Sequence, residues 1–304
     1  MVRSSKIGLV LGGGGARGLA HVGVINVLHR AGIPIDVITG TSIGALIGGI
    51  YAQDPDPEHL NKKVNDFIKG PRYKKLGVNN FRYKTDKDPD DVLRQLSQRV
   101  KRQLIINIAA NRIALLKDER LKIAIKSLLD DTLIEDCKIP FACVATDLIS
   151  GEAIVFDKGR MYVAIEGSSS IPGFLPPVEF NSYRLIDGSV SRNFPITTTR
   201  QMGANIVITV DVALNFDKNV KINNVIDLII RTEQITAYHL DTHLKEHSDL
   251  IIKPDIGDVH WSEFDRVDEL IQKGEEAAEK ILPDLKTIIS KKGSLFYKLF
   301  RTQT

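Results

Sequence analysis

The residues able to do chemistry cluster in the first fifty positions. Gly12-Gly13-Gly14-Gly15-Ala16-Arg17-Gly18 is entered directly from the apolar run Ile7 to Leu11. Gly40-Thr41-Ser42-Ile43-Gly44 is entered from Val37-Ile38-Thr39 and runs into the small, apolar stretch Ala45 to Tyr51. The second pattern sets a serine on a sharp strand-to-helix bend with its hydroxyl exposed. The first opens a helix with a row of backbone N–H groups, ready to meet negative charge. A nucleophile and an anion cradle on neighbouring turns point to acyl transfer. At a helix N-terminus, the alkoxide developing on Ser42 is favoured by partial positive charge. A serine hydroxyl is nevertheless a weak nucleophile without a base.

None of the seven histidines stands in a motif that marks such a base. His260, beside Trp261, is the one in a late loop; His239, His243 and His247 recur at i, i+4 and i+8 and read as a solvated helix face rather than a metal site. Leu185-Ile186-Asp187-Gly188-Ser189 places a carboxylate after two apolar residues and before a glycine turn. By composition alone, Asp187 reads as a turn former. Gly13, Gly15 and Gly18 also satisfy a dinucleotide fingerprint, which requires an acid at the end of the second strand. Asp36 instead precedes Val37-Ile38-Thr39, and Gly40-Thr41-Ser42 occupies the position that acid needs.

These turns must be held by strands and helices. Ile7 to Leu11 reads as a buried parallel strand, Gly18 to Arg30 as a helix closed by Gly32, and Ser42 to Ala52 as a second helix. Two strand-turn-helix units in succession predict a parallel sheet with right-handed crossovers. From Glu58 to Asp130 the pattern is helical, and we expect a cap inserted between early and late strands. Ile139 to Leu148 and Ala153 to Phe156 predict a hairpin. Asn205 to Val212 and Asp249 to Lys253 read as strands around a helix from Asn223 to Glu246, with a terminal helix over Val267 to Ser290. The expected architecture is an α/β/α sandwich with a central, mainly parallel sheet, in one domain over residues 1–304.

A chain of 304 residues with two cysteines can bury its core without disulfides. Between Leu60 and Lys126, 18 Lys/Arg face 7 Asp/Glu, so a basic region sits on an otherwise acidic body. That region suits phosphate head groups or an anionic membrane surface, or is simply a solvated helical face. The tail Lys291 to Arg301 mixes bases with large apolar residues, which fits docking at a lipid interface or packing on the body or a second subunit. No stretch reaches the length of a membrane span. Arg3 and Lys6 before Ile7 to Leu11 mimic a secretory leader, but the apolar part is short and meets the glycine run. We therefore expect a cytoplasmic protein, with peripheral membrane contact and homo-oligomers open and no nucleic-acid partner.

Taken in order, Gly13-Gly14-Gly15-Ala16-Arg17-Gly18, Gly40-Thr41-Ser42-Ile43-Gly44 and Asp187-Gly188 resemble the motifs of patatin-like phospholipases, in their bacterial and neuropathy-target-esterase branch. Ala145-Thr146-Asp147-Leu148, Ser169-Ser170-Ile171-Pro172-Gly173 and Pro176-Pro177 add to the resemblance, which is strong from Ile7 to Val212 and loose beyond. It implies a serine-aspartate dyad without a histidine: Ser42 as nucleophile and Asp187 as base. It also implies an oxyanion hole from the N–H groups of Gly13, Gly14 and Gly15. Arg17, Gly18, Gly40, Gly44 and Gly188 are the supporting motif positions. Ser189 departs from the glycine or alanine usual there. No metal or organic cofactor is implied. The expected substrate is a phospholipid or lysophospholipid; a thioesterase, a small-ester esterase or a non-catalytic lipid- or nucleotide-binding regulator are the alternatives. Burial of Asp187 would raise its pKa toward that of a useful base.

Overall fold

The computed structural model describes residues 5–76, 113–114, 118–216, 220 and 222–301, the backbone alone at 75–76, 118 and 293–301. Ile7–Leu11 (β1) and Val37–Thr41 (β2) are buried at every position, as strands covered on both faces must be. A 3-10 turn over Gly15–Leu19 leads into Ala20–Arg30 (α1), and Ile43–Gln53 (α2) follows β2. Pro57–Lys69 (α3), Pro71–Leu76 (α4) and Asp118–Leu128 (α5) come next. They belong to the stretch expected as a helical cap, most of whose remainder lies outside the described residues. The chain continues through Phe141–Asp147 (β3), Ala153–Phe156 (β4), Met161–Ser168 (α6), Val178–Phe180 (β5), Tyr183–Asp187 (β6), Ser189–Arg192 (α7) and Ile196–Gln201 (α8). Ile206–Val210 (β7), Val225–Lys245 (α9), Leu250–Ile252 (β8) and Val267–Arg301 (α10) complete it.

The strands form one sheet whose hydrogen-bonded neighbours run β5-β6-β3-β2-β1-β7-β8, with β4 also paired to β3. The run β3-β2-β1-β7-β8 is parallel; the pairs made by β4, β5 and β6 are antiparallel. Alternation along β1 sorts the core into two layers. Ile7, Leu9 and Leu11 join the large cluster with residues of α1, α2 and α10, while Val10 joins Phe194, Ile196, Ala204 and Val207 on the opposite face. Helices cover both faces, giving the three-layer α/β/α arrangement.

One detail of register positions the site. Cys143 pairs with Gly40 of β2 and Phe156 of β4, so these two strands lie on opposite edges of β3. Ala145 pairs with Ile154 of β4 and Asp187 of β6, which puts β6 on the same edge as β2. Thr41 faces Val144 and Asp187 faces Ala145. The end of β2 and the end of β6 therefore meet tip to tip at consecutive residues of β3.

The elements expected from the sequence differ from the structure at their ends, and Met161–Ser168, Val178–Phe180 and Ile196–Gln201 had no counterpart among them. The second helix starts at Ile43, because Ser42 itself has φ 55°, and the terminal helix runs on past Ser290 to Arg301. Lys292 ties that helix to the body, with Nζ donating to Asn205 O at 2.8 Å and to Asp249 Oδ1 at 2.6 Å. The tail's side chains from 293 onward lie outside the described residues.

Candidate active site

Ser42 occupies the bend between β2 and α2 with φ 55° and ψ −123°, a region that non-glycine residues rarely visit. Surrounding contacts hold it there. Ser42 N–H donates to Ser168 Oγ at 2.9 Å, and Ser168 Oγ donates to Val144 O at 2.6 Å. The bend is tight enough that a Cβ at Gly40 would strike the Gly44 backbone, and one at Gly44 would land on the Leu11 carbonyl. Both glycines are thus required by close approach of backbone to backbone.

The Ser42 hydroxyl donates to Asp187 Oδ2 at 2.6 Å. Serine and aspartate are both buried, at 6% and 3% exposure. Desolvation pushes the Asp187 carboxyl above the ordinary carboxylate range, while hydrogen bonds from Ser42 and Ser189 pull the other way. Ser189 N–H donates to Asp187 Oδ1 at 2.9 Å, so the residue that departs from the family pattern also orients the carboxylate. Gly188 packs where a Cβ would meet the Val144 carbonyl. Among the described residues, no histidine hydrogen-bonds Ser42 or Asp187.

The glycine loop runs close to this pair: a Cβ at Gly13 would stand 3.4 Å from the Ser42 Cβ. Its N–H groups are not equivalent. Gly12 N–H donates to Val210 O at 3.2 Å, Gly13 N–H to Asn193 Oδ1 at 2.7 Å, and Ala16 N–H to Trp261 O at 2.7 Å. Gly14 N–H and Gly15 N–H have no partner among the described residues. Of the three glycines expected to bind an oxyanion, Gly13 is engaged and Gly14 and Gly15 are open. Arg17 donates from Nε to Gly14 O at 2.9 Å, and burial lowers its pKa to about 10 against the opposing pull of Asp211. Gly18 packs directly under Ile43, where a Cβ would overlap that side chain.

An apolar pocket opens beside Ser42. Leu46, Ile47, Ile50, Val64, Ala124 and Ile125 line it from α2, α3 and α5, and Phe174 and Trp261 also border it. The two aromatic rings meet edge to face at 4.7 Å. Arg120 is the one charged side chain among the lining residues, and it is solvent-exposed. Ser168, Asn193 and Trp261 escape a local reading of the sequence, because their contacts with Ser42, Gly13 and Ala16 are all long-range. A serine one position before a recognised Ser-Ser-Ile-Pro-Gly stretch and an asparagine six positions after Asp187 were the only local signals.

Other candidates lie elsewhere. Asp36 Oδ2 accepts from Ile7 N–H at 2.8 Å, at the opposite end of β1 from the glycine loop, where no ribose could meet it. His239 and His243 lie on α9, and His247 lies in the turn after it. His260 Nδ1 contacts Ser262 Oγ at 2.7 Å. No described helix is long and apolar enough to cross a membrane.

Residues 9–200 match the patatin-like phospholipase family. A patatin-like phospholipase domain-containing protein of Caenorhabditis elegans is 34% identical over 70% of this chain, and the lysophospholipase NTE1 of Scheffersomyces stipitis is 27% identical over 92%. The chain spans only 14% and 18% of those two proteins. The crystal structure of VipD from Legionella pneumophila superposes with a TM-score of 0.51 over 93% of this chain and 67% of VipD, at 12% identity, so the two share a fold. The family match, resting on the segment that carries the serine bend, the glycine loop and Asp187, places this chain in the patatin-like phospholipase family.

Proposed function

We propose that the protein hydrolyses carboxylic esters of phospholipids or lysophospholipids through Ser42 and Asp187. The carrying observation is the 2.6 Å hydrogen bond between them at the mouth of an apolar pocket. As the Ser42 oxygen attacks the ester carbonyl, its proton passes to Asp187, whose burial makes it a stronger base than a solvated carboxylate. Gly14 N–H and Gly15 N–H receive the oxyanion, aided by the N-terminus of α2. The tetrahedral adduct collapses, and Asp187 returns the proton to the departing alcohol. Water, deprotonated by Asp187, then attacks the acyl-Ser42 ester, and a fatty acid leaves.

The acyl chain lies in the pocket among Leu46, Ile47, Ala124 and Ile125, with Arg120 at its exposed rim facing the head-group phosphate. A pocket this apolar favours long acyl chains over the acyl part of small esters.

Fluorophosphonate labelling tests the reading, alongside fatty-acid release from lysophosphatidylcholine micelles and hydrolysis of a long-chain acyl thioester. Wild type should label and release fatty acid. Ser42→Ala should abolish labelling, and Asp187→Asn should slow turnover on the order of a thousand-fold or more. A folded wild type that neither labels nor turns over any acyl substrate would leave a binding role. Faster turnover of the thioester than of the lysophospholipid would reassign the substrate.

A further inference from the structure

Four successive glycines make a poor scaffold for a preorganised oxyanion site. Without Cβ atoms, each peptide plane of Gly12 to Gly15 can rotate at little steric cost, and a flipped plane would aim a carbonyl where an N–H is needed. One plane of this loop is gripped at both ends. The Gly12 carbonyl accepts from His21 Nε2 at 2.8 Å, and the N–H of the same peptide unit, on Gly13, donates to Asn193 Oδ1 at 2.7 Å. His21 comes from α1 and is fully buried; Asn193 follows α7 and is 5% exposed. A carbonyl can only accept, so His21 Nε2 carries the proton. Among the described residues His21 Nδ1 is buried without a partner, and the Gly12 carbonyl is the ring's single hydrogen-bonding contact.

The amide of Asn193 is itself oriented. Its Nδ2 donates to Asp241 Oδ2 of α9 at 2.9 Å. A carboxylate accepts and cannot donate, so this contact turns Nδ2 toward Asp241 and the oxygen toward Gly13. Arg17 holds the Gly14 carbonyl in the next part of the loop. With the N–H groups of Gly12, Gly13 and Ala16 committed, those of Gly14 and Gly15 remain for a ligand.

We propose that His21 and Asn193 are positioning residues which clamp the Gly12–Gly13 peptide, with Asp241 setting the Asn193 amide, so that Gly14 N–H and Gly15 N–H form the oxyanion hole. The proposal rests on the hydrolase reading and adds a device to it: neither residue touches the ester, and each acts through the loop. Loss of the clamp raises the barrier to acylation and leaves the acyl pocket intact. The effect therefore falls on kcat and on the fluorophosphonate labelling rate, not on KM.

The test compares His21→Ala, His21→Gln, Asn193→Ala and Asp241→Ala with wild type. Glutamine places an amide donor near the position of the imidazole Nε2, so His21→Gln should keep kcat within a few fold. Asn193→Ala and His21→Ala should lower kcat and the labelling rate about a hundred-fold, the scale of one misplaced oxyanion donor, with KM changed less than about three-fold. Asp241→Ala should fall between them and wild type. Amide exchange of Gly13, followed by NMR without substrate, should be slow in wild type and faster in Asn193→Ala.

If His21→Ala does not fold, His21→Gln and Asp241→Ala still carry the comparison. Folded Asn193→Ala with unchanged kcat, or unchanged Gly13 exchange, overturns the clamp. Equal losses in His21→Gln and His21→Ala overturn the role of the donated hydrogen bond. A wild type without acyl hydrolase activity, but with the expected Gly13 exchange pattern, sinks the hydrolase reading and leaves the clamp standing.

Discussion

The Ser42 hydroxyl donates to Asp187 Oδ2 at 2.6 Å although 145 positions separate the two residues. The contact follows from β-sheet register: Thr41 pairs with Val144 and Asp187 with Ala145, so two strand ends abut along one edge of β3. No loop has to reach across to complete the pair. Rigid strands hold it, which suits a site that must keep its geometry during attack.

Burial of Asp187 has a sign that can be measured. Its folded pKa lies above that of the unfolded chain, so the folded state holds the proton more tightly. Stability is then highest below the unfolded carboxylate pKa of about 3.9 and declines as pH rises through the folded value. Asp187→Asn removes the charge and should be more stable than wild type in urea at pH 7, with the difference vanishing near pH 3. Activity of wild type should fall on the acid side at a pH above the ordinary carboxylate range. A variant less stable than wild type at pH 7 would mean that the hydrogen bonds to the carboxylate outweigh its desolvation.

His21 behaves in the opposite sense. Burial lowers its pKa from 6.5 to about 4, against smaller opposing effects of the Gly12 carbonyl and Asp211. The unfolded chain therefore takes up a proton first as pH falls. Stability due to this group is complete above about pH 6.5 and is lost down to about pH 4, a change of roughly 3 kcal/mol. Unfolding curves of wild type and His21→Gln between those limits should diverge by that amount, and parallel curves would count against it.

The bend at Ser42 stores backbone strain that glycine would relieve. With φ 55°, Ser42→Gly should be more stable than Ser42→Ala by about 1 kcal/mol, although both are inactive. Gly44→Ala drives a methyl group onto the Leu11 carbonyl and should cost about 3 kcal/mol or prevent folding. Equilibrium urea denaturation separates the three variants.

Chain-length selectivity should follow the pocket. Ala124 is buried on α5 and lines the pocket wall, so Ala124→Trp fills it. Excluding about four methylenes removes roughly 3 kcal/mol of burial, or about a hundred-fold in kcat/KM for a long chain relative to a short one. Turnover of C8 and C16 lysophospholipids by the variant gives that ratio; an unchanged ratio would place the acyl chain elsewhere.

Most of this site was legible locally. Apolar runs ending in Gly12 to Gly18 and in Gly40 to Gly44 announce two strand-to-helix turns, because backbone conformation and close packing there demand glycine within a few residues of the strand. The same local logic located the α1 and α2 helices, the β3–β4 hairpin and a carboxylate at the end of β6. Only the tertiary structure decided which groups meet. The pairing of β6 beyond β2 brings Asp187 to Ser42, and the packing of α1 and of the turn after α7 brings His21 and Asn193 to one peptide of the glycine loop. Gly13 looked identical to Gly14 and Gly15 in the sequence, yet its N–H is taken. Turn geometry depends on neighbouring residues, whereas the choice of hydrogen-bond partner depends on strand order and register, which local spacing does not encode.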